Sequence, residues 1–173
     1  MGNSRSIQKF EDPDYITIPC EIGDPKVAQL LMQTAMDRFC RVDTLINNAG
    51  IWRPAQITEI PEERFRRKMA TNLDSVFFTT QAAVKAMEQR EGANAGRHII
   101  HVGTSLVEHA LSNLHAVLSP MSEGAVVAAT RGLAMELTSR NIRVNAVSLG
   151  IIRTPLHEPE SLEGKKSFAP LNP

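Results

Sequence analysis

Polar motifs directly follow two apolar, β-branched runs of this chain, at 44–46 and 98–102. The motif after the first run is Asn-Asn-Ala-Gly at 47–50, and Gly-Thr-Ser follows the second run at 103–105. The small residues of the first motif let the backbone approach a flat ligand closely. A hydroxyl of the second motif can polarise a carbonyl group. The sequence therefore predicts a ligand site at the ends of two strands.

Alternating strand and helix patterns surround these motifs. Strands are predicted at 15–18, 44–46, 98–102 and 142–147, and helices at 24–39, 61–89 and 122–139, where apolar residues recur at helical spacing. Asp24 and Pro25 are typical of a helix start, because aspartate caps free N–H groups and proline needs none at the first helical position. Alternation with short connections predicts an α/β fold in which helices cover both faces of a parallel sheet. Such sheets bind ligands beyond the carboxyl ends of their strands.

The composition fits one domain and argues against several functions. The chain has 173 residues, 42% of them hydrophobic, with 19 basic and 19 acidic residues. A net charge of zero argues against nucleic-acid binding, which needs a clustered basic excess. No apolar run is long enough to span a membrane, and the first residues do not resemble a secretory signal. Cys20 and Cys40 lack metal-site spacing, so a reduced, cytoplasmic protein without a metal is expected.

The order of the motifs resembles that of the short-chain dehydrogenase/reductase family. The similarity includes Asn-Asn-Ala-Gly at 47–50, Asn72 in the long helix, Gly-Thr-Ser at 103–105, the segments 130–137 and 141–147, and the loop at 148–155. It runs over nearly the whole chain, from 4 to 160. The resemblance implies a partial Rossmann fold, in which 1–173 form one incomplete domain. Its family-like core would be 4–155, and 156–173 would be the start of a substrate loop and a tail.

This resemblance implies an oxidoreductase that moves a hydride between NAD or NADP and an alcohol or carbonyl substrate. By position, the residues that would take part in catalysis are Asn72, Thr104 and Ser105. The residues that would contact the cofactor are Arg5, Glu21, Asn47, Ala49, Gly50, Gly150, Ile152 and Thr154. The family commonly dimerises through two helices that correspond to 61–89 and 122–139, which implies a homo-oligomer.

The tyrosine and lysine that perform the family's chemistry are missing. Counting back from the following helix motif places Ser119 at the tyrosine position and Glu123 at the lysine position. The only tyrosine, Tyr15, lies in a predicted strand. A tyrosine donates a proton at neutral pH only where a nearby cation lowers its pKa, and a glutamate would raise it. His109 or His115 could replace this acid, although histidines in surface loops more often have no such role.

The sequence also departs from the family at both ends. It contains no Gly-rich turn after a strand, the motif that binds the pyrophosphate of the cofactor. Residues 4–6 resemble the end of the family's second strand, and the family's last helix and strand are absent, so a truncated chain is predicted. Weak or absent cofactor binding is expected. The strand at 15–18 should either stand apart, leaving the edge at 44–46 unpaired, or pair directly with that edge.

Three functions remain open from the sequence. The chain is an oxidoreductase with little or no activity of its own, a family member without chemistry that binds partners through its helices, or a fragment with no independent function. None of the three involves nucleic acid or a membrane. Because an open apolar sheet edge invites aggregation, marginal stability is expected, with the segment before Asp43 the least ordered.

Overall fold

The computed structural model of this chain describes residues 1–89, 96–112 and 114–150. Within these ranges the strands are Gly2–Ser4 (β1), Thr17–Pro19 (β2), Thr44–Asn47 (β3), Arg97–Thr104 (β4) and Ile142–Leu149 (β5). The α-helices are Pro25–Phe39 (α1), Glu62–Met69 (α2), Ser75–Glu88 (α3) and Leu118–Leu137 (α4). A π-helical turn, Ala70–Asp74, joins α2 to α3.

Helix α1 begins where the sequence predicts. The Asp24 carboxylate accepts a hydrogen bond from the N–H of Lys26 at 2.9 Å, and Pro25 lies in the first turn. The helix ends at Cys40, which has a left-handed backbone with φ of 57° and donates its N–H to the carbonyl oxygen of Met36 at 2.8 Å. Local capping at both ends therefore sets the length of α1.

Other element boundaries differ from the sequence prediction. Strand β2 begins at Thr17 because Tyr15 belongs to a turn, in which the Asp12 carboxylate accepts the Tyr15 N–H at 2.6 Å. Helix α4 begins at Leu118, ahead of the predicted start at 122, since Pro120 is tolerated in a first helical turn. The long helix predicted at 61–89 is present but is divided by the π-helical turn.

Two separate parallel sheets form the strand layer. Strand β1 pairs with β2, and Gly2 lies opposite Thr17. Strand β4 lies between β3 and β5, and Ile99 lies opposite both Leu45 and Val144. The α/β class and the parallel pairing predicted from the strand–helix alternation are confirmed.

A cavity of about 900 Å³ lies between the two sheets. Residues of β1 line one side of it and residues of β3 line the other. In the described part of the chain β3 pairs only with β4, so its second edge has no strand partner. This is the first of the two arrangements predicted for the strand at 15–18. That strand is not isolated, however, because it pairs with β1, which overlaps the segment resembling the family's second strand.

Helices α1, α3 and α4 pack against one face of the three-stranded sheet. Leu45, Ile99 and Val144 lie side by side on that face and are buried in one cluster with side chains from all three helices. On the opposite face, Ile46 is 59% exposed. Because strand residues of both orientations are apolar, the sequence predicts helices on both faces, whereas the described helices cover only one.

Candidate active site

A π-helical turn places Asn72 between the loop after β3 and helix α4. Such turns insert an extra residue into a helix and are frequent at functional sites. The buried Asn72 side chain accepts the N–H of Ile51 at 3.0 Å and donates from Nδ2 to Glu123 Oε1 at 3.2 Å. Asn72 thus ties the loop at the end of β3 to helix α4.

Gly50 allows this close approach of Asn72 to the loop. A Cβ atom at position 50 would lie 3.1 Å from Asn72 Nδ2, which is tighter than nearly all Cβ contacts in proteins. The sequence analysis expected small residues here in order to admit a cofactor. The structure gives Gly50 a second reason, namely that a side chain of the protein itself occupies this space. Its cofactor contact stays a prediction.

A buried lysine, Lys68 on α2, lies at the centre of the site. Its side chain is 6% exposed, although its neighbours on α2 are mostly charged and solvent-facing. Its Nζ donates to the carbonyl oxygen of Ile51 at 2.7 Å, to Ser119 Oγ at 3.1 Å and to Glu123 Oε1 at 3.3 Å. All three N–H groups of the ammonium therefore have acceptors.

Lys68 and Glu123 form a largely buried ion pair in which each charge compensates the other. Desolvation lowers the pKa of the Lys68 ammonium, and the attraction and hydrogen bond of the Glu123 carboxylate offset this only in part. A buried charge without a partner is costly, so each member of the pair requires the other. Glu123 also accepts from Asn72, which joins the pair to the π-helical turn. The negative charge of Glu123 on α4 is thus compensated by a lysine from a different helix, α2.

Ser119, which the sequence analysis places at the tyrosine position, is buried in the first turn of α4. Its N–H donates to the carbonyl oxygen of Ala116 at 2.9 Å, and its hydroxyl oxygen accepts from Lys68. A serine hydroxyl is a far weaker acid than a tyrosine. The ammonium beside it holds the hydroxyl in place and does not make it a proton donor at neutral pH.

A cavity of about 310 Å³ opens beside Ser119 and Lys68. His115, one of the two histidines considered as substitute acids, also lines this cavity. His109 is exposed, and its N–H donates to the carbonyl oxygen of Ser105 at 2.9 Å. Among the described residues that line the cavity, His115 is the only histidine.

Thr104, one of the two hydroxyl residues predicted to take part in catalysis, has a local partner. Thr104 Oγ1 accepts the N–H of Leu106 at 3.3 Å and caps the short 3₁₀ helix Ser105–Val107. Neither Thr104 nor Ser105 is among the described residues that line the cavity beside Ser119. Their part in catalysis stays a prediction.

Two of the predicted cofactor residues contact each other. Arg5 Nε lies 3.8 Å from Glu21 Oε2, and both side chains are about half exposed. Ala49 and Gly150 are exposed. Ile152 and Thr154 lie outside the described residues.

The side chain of Asn47 is engaged on the helix-covered face of the sheet. Its Oδ1 accepts from Thr79 Oγ1 at 2.7 Å, and its Nδ2 lies 3.1 Å from both Thr80 Oγ1 and His101 Nδ1. Burial lowers the pKa of the His101 imidazole. His101 Nε2 has no hydrogen-bond partner among the described residues. The Asn47 amide therefore stabilises the contact between β3 and α3.

Among the described residues, those predicted to surround the nicotinamide do not fit that cofactor. The sequence has no Gly-rich turn after a strand, and Glu123 stands where the resemblance predicts the cation that would hold the ribose. The Glu123 carboxylate is already bonded to Lys68 and Asn72, while Asn47 is bonded within the protein. The described arrangement can fix the positions of two helices and a loop, and it offers no free acid at the family's tyrosine position.

Lys68 is the residue of this site that the sequence analysis missed. The segment around it on α2 is dominated by charged residues, a pattern typical of a solvated helix face. Two signals were nevertheless available. Lys68 precedes Asn72 by one helical turn and so shares its face, and a glutamate at position 123 in a buried site requires a cation.

The comparisons with known proteins identify the family and the fold of this chain. A family model described as enoyl-(acyl carrier protein) reductase matches residues 3–169. A solved short-chain type dehydrogenase/reductase from Mycobacterium marinum superposes with a TM-score of 0.81 at 30% identity, over 90% of this chain and 60% of that one. The chain belongs to the short-chain dehydrogenase/reductase family. Its predicted partial Rossmann fold is confirmed.

Curated relatives in this family are oxidoreductases by name. NADPH-dependent aldehyde reductase 1, chloroplastic, from Arabidopsis thaliana is 34% identical over 88% of this chain and 50% of that protein. Glucose and ribitol dehydrogenase from Daucus carota is 31% identical over 88% of this chain and 50% of that protein. The chain thus spans about half the length of the curated relatives it matches.

Two features are absent from the residues that the structure describes. In 1–89, 96–112 and 114–150, no helix has the length and apolar character needed to cross a membrane. Over the same ranges, no three histidine, cysteine, aspartate or glutamate side chains come together as a metal site.

Proposed function

We propose that this chain carries the substrate-side half of an NAD(P)-dependent oxidoreductase acting on an alcohol or carbonyl compound, and that its own hydride-transfer activity is absent or very slow. The observation that carries the proposal is the ion pair between Lys68 and Glu123, because the resemblance predicts a lysine and not a glutamate at position 123. Ser119, at the tyrosine position, accepts a hydrogen bond from Lys68.

The chemistry of carbonyl reduction supports this view. Hydride transfer to a carbonyl carbon leaves a negative oxygen that must take up a proton, and a positioned acid typically accelerates such a step by about 100- to 10,000-fold. The Ser119 hydroxyl is too weak an acid for this task. The Lys68 ammonium has all its protons directed at protein acceptors.

Cofactor binding by this chain should be weak. Backbone N–H groups of a Gly-rich turn and the start of a helix supply most of the contacts to a pyrophosphate in Rossmann folds. Calorimetric titration with NADH and NADPH should give dissociation constants no better than about 1 mM, equivalent to about 4 kcal/mol. A micromolar constant for the purified chain would contradict the proposal.

The test of catalysis is NADPH oxidation by the purified chain with a panel of aldehydes and ketones. No rate above the enzyme-free background is expected. The variant that restores the family's tyrosine and lysine is Ser119→Tyr with Glu123→Lys. It is made in a chain extended by a family-type N-terminal segment. Lys68→Met must accompany it, because two ammonium groups would otherwise lie together in a buried site. If the unaltered chain turns over at about 1 s⁻¹ or faster, the proposal is wrong.

We further propose that the chain associates with itself through α3 and α4. Phe77 on α3 is 60% exposed and Met135 on α4 is 81% exposed, and large apolar side chains at a surface favour contacts with other proteins. Sedimentation velocity should show a species larger than the monomer. Phe77→Glu or Met135→Glu should shift it toward the monomer, whereas Leu30→Glu on α1 is the control.

Location in the cytoplasm stays a prediction.

A further inference from the structure

The cavity beside Ser119 is surrounded by cationic side chains. Its lining includes Arg5, Arg53, Arg64, Arg67 and Lys68. In the described part of the chain, no aspartate or glutamate is among the lining residues. Its volume of about 310 Å³ suits a small molecule, since ligand pockets begin at about 300 Å³.

Two of these cations are compensated by carboxylates. Lys68 is paired with Glu123, and Arg5 lies near Glu21. They add little net charge to the cavity. The positive character must therefore come from the other members of the lining.

Three arginines supply that uncompensated charge. Arg53 and Arg67 have no carboxylate within ion-pair distance among the described residues. Arg64 donates to the backbone carbonyl oxygens of Arg53 and Pro54, and so holds the loop that carries Arg53. The adjacent Arg66 differs, because its Nε lies 2.6 Å from Glu62 and it does not line the cavity. Arg66 and Arg67 are thus adjacent in sequence but have different surroundings.

The N-terminal end of helix α4 adds to the positive potential in this cavity. Val117, Leu118 and Ser119, at its N-terminal end, line the cavity, and the helix is 20 residues long. The N-terminus of such a helix carries a partial positive charge that favours anions. Trp52, also in the lining, supplies a broad apolar surface for the uncharged part of a ligand.

We propose that this cavity binds a small organic dianion, specifically a phosphate monoester. Guanidinium groups contact phosphate oxygens through pairs of N–H donors, which matches a site containing three arginines without carboxylates. The cavity is too small for a macromolecule. The inference goes beyond the proposed function, because binding of an anion requires neither cofactor nor hydride transfer.

Trp52 makes the proposal directly measurable. It is the only tryptophan in the chain, and it lines the cavity. Phenyl phosphate, titrated at a pH of about 7.5 where the ester is mainly a dianion, should change its fluorescence to saturation. Phenyl sulfate has nearly the same shape and one charge fewer, so it should bind at least about tenfold more weakly. Calorimetry on the same pair of esters checks the fluorescence result.

Two neighbouring arginines provide the matched variants. Arg67→Gln should weaken phenyl phosphate binding about tenfold, because it removes a charged donor. Arg66→Gln should leave it within about twofold, because that side chain faces Glu62. Both positions are exposed, so both variants should fold, and circular dichroism checks that. Added salt should weaken binding to the unaltered chain.

Three results would overturn the proposal. They are no binding of phenyl phosphate by calorimetry, equal affinity for the phosphate and sulfate esters, and equal effects of Arg66→Gln and Arg67→Gln. Failure of the NADPH assay would leave the anion site untouched, since none of these measurements depends on turnover. Conversely, a chain that shows no NADPH oxidation and does not bind phenyl phosphate would refute only the anion site.

Discussion

The two ends of the candidate site differ in how completely their polar groups are satisfied. At the proton-transfer end, Lys68, Asn72 and Glu123 form a closed, buried network that joins α2, the π-helical turn and α4. At the cofactor end, the two sheets border a cavity of about 900 Å³, and the exposed Arg5 and Glu21 side chains lie 3.8 Å apart.

This contrast separates two kinds of departure from the family. At the proton-transfer end, Lys68 compensates the negative charge of Glu123 in an ion pair. In the described part of the chain no strand lies between β1 and β3, and the space between them is open. One side chain therefore compensates the charge at the first end, whereas no described element fills the second.

The largest expected effect is a difference in backbone protection between the two sheets. Amide hydrogens of Ile142–Leu149 should exchange slowly, because β5 pairs along its length with β4 and Ile142 and Val144 are buried. Those of Thr17–Pro19 should exchange at least about 1,000-fold faster, because that two-stranded sheet borders an open cavity. Hydrogen exchange followed by mass spectrometry measures both segments in one sample. Equal, strong protection of both would show that the two sheets form one cooperative unit.

A second expected effect concerns charge at the proton-transfer end. Glu123→Lys alone should lower the free energy of unfolding by about 4 kcal/mol or prevent folding, because it places a second ammonium beside the buried Lys68. Exchanging the two charges, with Lys68→Glu and Glu123→Lys in one chain, should recover part of the loss. Urea denaturation gives both values. A stable Glu123→Lys variant would mean that Lys68 is not held in this site.

The smallest expected effect is a dependence of stability on pH that originates at His101. Burial lowers the pKa of its imidazole in the folded chain below the usual value of about 6.5 that the unfolded chain retains. Below about pH 6.5 the unfolded state therefore binds the proton first, and the free energy of unfolding falls until the pH reaches the lowered pKa. His101→Asn should weaken this acid dependence. If denaturation curves of both proteins change equally with pH, other groups are responsible.

Local signals explain what the sequence could predict. The capping pair Asp24 and Pro25 located the start of α1, and the β-branched runs located four strands, because these preferences act over a few residues. Motif order located Asn72, Ser119 and Glu123, which the structure brings into one cluster through Lys68. Patterns of this kind do not depend on how the elements pack.

Non-local packing explains what the sequence could not predict. The separation of the two sheets depends on which strands pair with each other. Strand β1 pairs with β2, although no pattern within either segment indicates this pairing. The burial of Lys68 depends on α4 lying over α2, whereas its own helix consists largely of charged residues. Positions of single side chains at such contacts follow from the assembled fold.

The central claim is that Lys68 and Glu123 form a coupled, structural pair beside Ser119, the predicted position of the family's proton donor. A double-mutant cycle in urea denaturation, with Lys68→Met, Glu123→Met and both together, measures that coupling directly. Each single variant should lose about 3 kcal/mol because it leaves the other charge buried and unpaired, and the double variant should lose clearly less than the sum. Losses that add to within about 0.5 kcal/mol would show that the two side chains do not depend on each other, and would contradict the account.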